Sequence, residues 1–225
     1  NCNVTVISGS FDETIKTVLD ALSQQSQQLA PAFVMLDPFG VKDTPMELIS
    51  RILQNPKSEI YVSFMYESIN RFKGTEEFAC LDSLFGTTKW RSGLNIEDSE
   101  KRKAFFYRLY EEQLRAAGAK YVLHFDILQG QRLIYAIFFA TQHPLGCDRM
   151  KQAIWKVAPD GDFAFRAVQK GQLKLDLAVP NFEPLKQQLL DRFQDQGWIT
   201  IATVLEFVAS DQTPYHTSQV KTNAL

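Results

Sequence analysis

The chain lacks a glycine-rich nucleotide loop. Its 11 glycines are scattered through 225 residues, and no GxGxxG run, P-loop, zinc motif or serine-nucleophile elbow is present. Cysteine is scarce as well. Cys2, Cys80 and Cys147 are far apart, odd in number and in no CxxC pair, so they read as free thiols in a reducing cytosol. No apolar run is long enough to span a bilayer, and no basic-then-apolar export signal opens the chain. A cytoplasmic protein without a membrane role is therefore expected. Charge of one sign is also missing: 24 Lys+Arg against 26 Asp+Glu leave a net charge of −2, which argues against polyanion binding driven by bulk charge. Residue 1 is Asn rather than Met, so a piece of a longer chain is expected.

Apolar material, by contrast, is plentiful. The chain is 45% hydrophobic with 17 Phe, enough for one sizeable core and a small second unit. Strands and helices alternate. Val4–Ile7 reads as a strand closed by Ser8-Gly9-Ser10, followed by a helix from Asp12 to Leu29 with a stripe of Ile15, Val18, Leu19 and Leu22. Phe33–Leu36 is a continuous apolar run, expected to be a strand buried on both faces of a parallel sheet. Pro38 ends it at Asp37, and so sets a carboxylate at the carboxyl edge of a strand, where open α/β sheets keep their ligands. The competing account is a turn-forming Asp-Pro. A helix from Pro45 to Leu53, with Thr44 as its cap, and a strand from Ile60 to Phe64 complete an α/β series of parallel strands.

The middle of the chain changes character. Glu76–Phe85 reads as a helix stopped by Gly86, and residues 87–95 as a polar loop holding Trp90. Asp98 caps a long helix carrying Phe106, Leu109, Tyr110, Leu114 and Ala117, with Gly118 at its end. Tyr121–Leu128 and Leu133–Ala140 read as an antiparallel hairpin, and a helix runs from Cys147 to Val157. Parallel strands finished by an antiparallel pair are the arrangement used at one edge of class I methyltransferase-like sheets.

Residues 1–177 are expected to form this α/β domain and residues 178–225 a helix-turn-helix or winged-helix-like unit. Leu185, Leu189 and Phe193 lie four apart on one helix, Thr200 caps a second, and Thr217 starts a third with Val220 and Ala224. Residues 181–225 hold three Lys/Arg and five Asp/Glu. That balance favours protein contact or domain packing over duplex binding.

Several short motifs fall in order. Phe33–Gly40 ends in Leu-Asp-Pro-Phe-Gly, Phe64–Arg71 reads Phe-Met-Tyr-Glu-Ser-Ile-Asn-Arg, and Phe85–Trp90 reads Phe-Gly-Thr-Thr-Lys-Trp. His143-Pro144-Leu145-Gly146 precedes Met150. In this order and spacing the chain resembles the three-Cys-motif partner protein (TcmP) family across most of its length. The resemblance implies a Rossmann-like, class I methyltransferase-like domain with a mostly parallel sheet and a C-terminal winged helix. It also implies S-adenosylmethionine as cofactor and a radical-SAM-type partner protein, with the family's three cysteines on that partner. By the same resemblance Val4–Ile7, Phe33–Asp37 and Ile60–Phe64 are the third, fourth and fifth strands, so two strands and the main cofactor loop would precede Asn1.

Asp37-Pro38-Phe39-Gly40 also resembles the acceptor-site tetrapeptide of amino-methylating enzymes, Asp/Asn-Pro-Pro-Tyr/Phe. There the acid and the next carbonyl accept hydrogen bonds from the target amine while the aromatic stacks on the base. Here the second proline is absent and the aromatic comes one position early. The resemblance thus implies Asp37, Pro38 and Phe39 as catalytic residues, with Ser8, Gly9, Ser10 and Gly40 near the cofactor. Phe64, Tyr66 and Glu67 would line the substrate pocket, Glu67 having a helix-start role as its alternative. A SAM-dependent methyltransferase, or the acceptor half of one, acting on an amine of a nucleic acid or nucleotide is one reading. A non-catalytic interaction module docking a partner is the other.

Remaining polar residues carry weaker signals. His124 and Asp126 share a strand face that reads as solvated, and His143 shapes a loop. Cys147 lacks a companion base. Lys101, Arg102, Lys103, Arg108 and Arg115 read as a basic helix face, solvated or docking an acidic partner or an RNA backbone.

Overall fold

The computed structural model describes residues 3–38, 40–42, 44–71, 78–167 and 180–223. Cys2, Phe39, Glu76, Ala224 and the expected unit boundary at residue 177 lie outside the described residues. Nine helices and five strands follow among those described: α1 Phe11–Gln24, β1 Ala32–Leu36, α2 Met46–Leu53, β2 Ser58–Phe64, α3 Tyr66–Arg71, α4 Phe78–Phe85, α5 Ser99–Ala116, β3 Tyr121–Gln129, β4 Arg132–Thr141, α6 Pro144–Val157, β5 Ala164–Ala167, α7 Glu183–Phe193, α8 Ile201–Ala209 and α9 Thr217–Asn223. The five strands form one mixed α/β sheet in the order β1-β2-β4-β3-β5.

β1 pairs parallel with β2, while β4 is antiparallel to both β2 and β3. The expectation of a mostly parallel sheet is therefore corrected. A hairpin must return antiparallel, and here its second strand is inserted between β2 and the first, so two of the four interstrand pairings run antiparallel. The hairpin turns at Gly130, whose φ of 63° suits glycine. β5, parallel to β3, has no clear signal in the sequence, because its four residues follow a turn at Asp160-Gly161 and show no longer apolar run.

Two strand readings are overturned. Val4–Ile7 forms no strand; it is extended chain with Val4 and Val6 82% and 89% exposed. β propensity alone cannot hold a strand that has no neighbour to exchange hydrogen bonds with. β1 is not buried on both faces either. It is an edge strand in which Phe33 and Met35 are exposed on one face while Leu36 is buried on the other.

The main core lies on the inner face, where α2, α3 and α5 pack on β2, β3 and β4. Phe64 sits at its centre, 4.5 Å from Tyr110 and 5.2 Å from Phe138 between ring centroids. Such tilted and edge-to-face pairs satisfy the ring quadrupoles. Asp98 caps α5 by accepting from the Lys101 N–H at 2.8 Å, as its position before the amphipathic run predicts. Thr44 does not cap α2. Pro45 is the N-cap residue, and the Thr44 hydroxyl is buried without a partner. The loop expected at residues 87–95 contains a short 3₁₀ helix, Lys89–Asn95, whose Trp90 is fully buried with its indole N–H on Asp82 at 2.8 Å.

α7, α8 and α9 gather around Trp155 of α6, which joins Leu185, Val204, Val208, Tyr215 and Val220 in a second core. This unit is fastened rather than appended. Lys151 of α6 is fully buried and donates to the carbonyls of Val208, Ser210 and Thr213 at 2.5, 2.5 and 3.2 Å. Asp148, one turn earlier, accepts from the Thr217 N–H and hydroxyl. Asp211 accepts from Arg115 and from the Val122 N–H of β3.

Candidate functional site

Alternation along β1 sets Phe33, Met35 and Asp37 on one side of the sheet, since successive side chains of an extended chain point to opposite faces. Asp37 is exposed at the carboxyl end of this edge strand. Its charge reaches Tyr61, whose pKa is pushed up to about 12, chiefly by burial and further by Tyr135 and Asp37. Pro38 cannot extend the ladder, and its carbonyl accepts from the Gly40 N–H at 3.0 Å. Gly40 adopts φ 114°, a conformation that side chains resist. A tight turn thus follows Asp37 directly.

Of the residues expected beside the cofactor, Gly40 lies in this turn, whereas Ser8, Gly9 and Ser10 precede α1. Ser8, Gly9 and Ser10 are exposed and lead into α1, with Ser10 as its N-cap residue in extended conformation. The Ser10 hydroxyl lies on Asp12, and that hydrogen bond is the largest influence lowering the Asp12 pKa. Ser10 occupies the N-cap position without a side-chain hydrogen bond to the helix backbone.

Two of the expected substrate-pocket residues, Phe64 and Tyr66, are buried in the core. Phe64 is 1% exposed within the core, so a pocket-wall role is excluded by its packing. Tyr66 is buried against Phe106 and Tyr107, its hydroxyl without a partner. Glu67 stands in the first turn of α3, where a carboxylate complements the helix dipole. The helix-start account fits it.

On the inner face the sheet assembles a group that pattern reading undervalued. Asp126 of β3 accepts from Lys103 Nζ at 2.7 Å and from the Tyr107 hydroxyl at 2.9 Å. Burial foremost, and then Asp126, raises the Tyr107 pKa far above its ordinary value, so the phenol stays protonated as a donor. His124 does not pair with Asp126. Its ring packs 5.3 Å from Tyr107 and 5.6 Å from Phe138, and desolvation lowers its pKa. The available signal was the i, i+4 spacing of Lys103 and Tyr107 on α5 opposite a strand carboxylate.

The basic face expected on α5 is largely consumed internally. Arg102 donates to the Ile96 carbonyl, Lys103 to Asp126, and Arg115 to Glu111, Asp211 and the Lys120 carbonyl. Cys147 is fully buried, and burial pushes its thiol up to about 12, which suppresses the nucleophilic thiolate. Among the described residues no group of three His, Cys, Asp or Glu could hold a metal ion, and no helix is long and apolar enough to cross a membrane.

Comparison with family models, curated proteins and solved structures finds no match.

Proposed function

We propose that this chain is the acceptor side of a SAM-dependent methyltransferase of the three-Cys-motif partner type. Its target is an amine of a nucleic acid or nucleotide, and its sheet is completed by further strands along the open edge of β1. The observation that carries this reading is the strand arrangement: two parallel strands followed by a hairpin whose return strand wedges between β2 and β3. This order supports the reading because it matches what the resemblance implies for the end of a Rossmann-like sheet, with β1 the edge at which the rest of such a sheet would attach. Asp37 then stands at the junction, at the carboxyl end of its strand.

The chemistry asks for little. An amine attacks with its lone pair, so its N–H groups must be held by acceptors. The Asp37 carboxylate offers one acceptor. The Pro38 carbonyl, already receiving Gly40 N–H, keeps a second lone pair for another. S-adenosylmethionine, when bound, supplies the methyl group. The described residues do not fit it: no glycine-rich turn follows a strand, and Ser8-Gly9-Ser10 starts a helix. Grip on the cofactor therefore falls to structure across the β1 edge.

The test is methyl transfer by the whole protein to RNA bearing adenine and cytosine amines. Asp37→Ala is expected to lower kcat by about 100-fold, the usual scale for removing one preorganised polar group, with Asp37→Asn retaining part of the rate. Equal rates for wild type and Asp37→Ala would remove the reading. A second reading, a non-catalytic Rossmann-like module docking a partner protein such as a radical-SAM-type enzyme, is favoured by one observation. Asp37 is exposed and, by the strand register, on the opposite side of the sheet from Tyr66 and Asp126. Calorimetry of the whole protein with S-adenosylmethionine separates the two, since only the methyltransferase binds it.

A further inference from the structure

The outer face of the sheet is half covered. α6 packs over β3 and β4, whereas over β1 and β2 the side chains of Phe33 and Met35 remain 56% and 59% exposed. Beside α6 runs an open trough of about 710 Å³ that reaches Phe33, Phe139, Leu145 and Arg149. An almost wholly apolar pocket of about 190 Å³ adjoins it through Phe139, Met150 and Ala153.

The walls of this trough have a particular form. Its floor is strand, with Phe33 stacked on Phe139 at 6.3 Å and tilted against Tyr61 at 6.4 Å. Its side is helix: Leu145, Arg149, Ala153 and Val157 follow one another at four-residue intervals along α6, all exposed and all lining the trough or its adjoining pocket. A bare i, i+4 ridge next to a bare apolar strand floor has the shape into which a second helix packs, its own ridge set in that groove. A small molecule would leave Met35 uncovered, and a strand would not engage the α6 ridge.

Charge gives the occupant a direction. Lys57 and Arg149 are exposed near the amino ends of β1 and β2. Glu59, between them, also lines the trough, but its charge is engaged there: it accepts from the Thr141 hydroxyl at 3.0 Å and lies close over Gly146, so the two cations leave this end net positive. Asp37 stands at the opposite end of β1. A helix carries partial negative charge at its carboxyl end and positive charge at its amino end. We propose that this trough seats an amphipathic helix of a partner protein, acidic near its carboxyl end and running antiparallel to β1 and β2. The seat shares Asp37 with the methyl-transfer reading but needs no cofactor, so peptide binding tests it separately from methyl transfer.

The experiment uses fluorescence anisotropy with a labelled synthetic helical peptide of about five turns, bearing a leucine face and glutamates in its last two turns. A second peptide carries lysines there instead. The glutamate peptide is expected to bind about ten-fold tighter, and Phe33→Asp to weaken it about ten-fold while far-UV circular dichroism is unchanged. Arg149→Glu, exposed on α6, is expected to reverse the preference between the two peptides. Three results would overturn the proposal: equal binding of both peptides, binding that Phe33→Asp leaves intact, or a concentration-dependent dimer of the chain that Phe33→Asp abolishes. Binding of dodecanoate in the trough without binding of either peptide would do the same.

Discussion

Gly146 shows how much a single position can encode. A Cβ there would overlap Glu59 Oε1 and come within 2.9 Å of Thr141 Oγ1, so the Pro144-Leu145-Gly146 run that opens α6 is fixed by a carboxylate from β2. Gly146→Ala should push the flexible Glu59 carboxylate off Thr141 and lower stability by no more than about 1 kcal/mol, the worth of that hydrogen bond, since alanine's better helix propensity offsets part of it. Thermal denaturation checks this. Beside Glu59→Ala it should cost nothing further, and additive losses in the double variant would contradict the account. The motif was visible in the sequence as a glycine at a helix start, but its cause was not. Glu59 lies 87 positions earlier, and only the β2–β4 pairing brings the two together.

Elements were most legible where local chemistry decides them. The caps at Asp98 and Thr200 are seen as expected, each accepting from the N–H three residues on, because a cap depends on its own turn and little else. Asp98→Ala should therefore cost about 1 kcal/mol, read as a drop in the urea midpoint with unchanged slope; a variant as stable as wild type would count against the cap. The hairpin was legible from two apolar runs around Gly130. Burial of β1 was not. Phe33-Val34-Met35-Leu36 reads as a two-sided core strand, yet its position at the sheet edge is set by which strands pair with it, and four apolar letters carry no record of that. The same reason undid Val4–Ile7. Asp126 looks like a solvated strand position in the sequence because its partners Lys103 and Tyr107 come from another element, packed by tertiary contacts.

At the scale of the whole molecule, α6 joins two cores. Its Ile154 packs under the sheet and its Trp155 among α7, α8 and α9, while Lys151 holds three carbonyls of the α8–α9 connection. Burial pushes the Lys151 ammonium down to about 8, whereas an unfolded lysine titrates near about 10.4. The folded chain thus binds fewer protons between these values. Stability from this group is fully present above the unfolded pKa and is lost as pH falls towards about 8. The Tm of wild type relative to Lys151→Met should therefore rise from about pH 8 to about pH 10. A flat or falling difference would show that the three carbonyls offset the desolvation of the ammonium.

Among the described residues β1 and β5 are the two edges of the sheet, and the proposed function lives at the β1 edge. Titrating the ¹⁵N-labelled chain with nucleosides while recording amide shifts tests it most directly. Adenosine and cytidine, which carry exocyclic amines, should move the resonances of Asp37 and Gly40, and Asp37→Ala should erase the effect. If uridine, which has no such amine, moves them equally, or if no nucleoside moves them at all, the acceptor site proposed at Asp37 is not there.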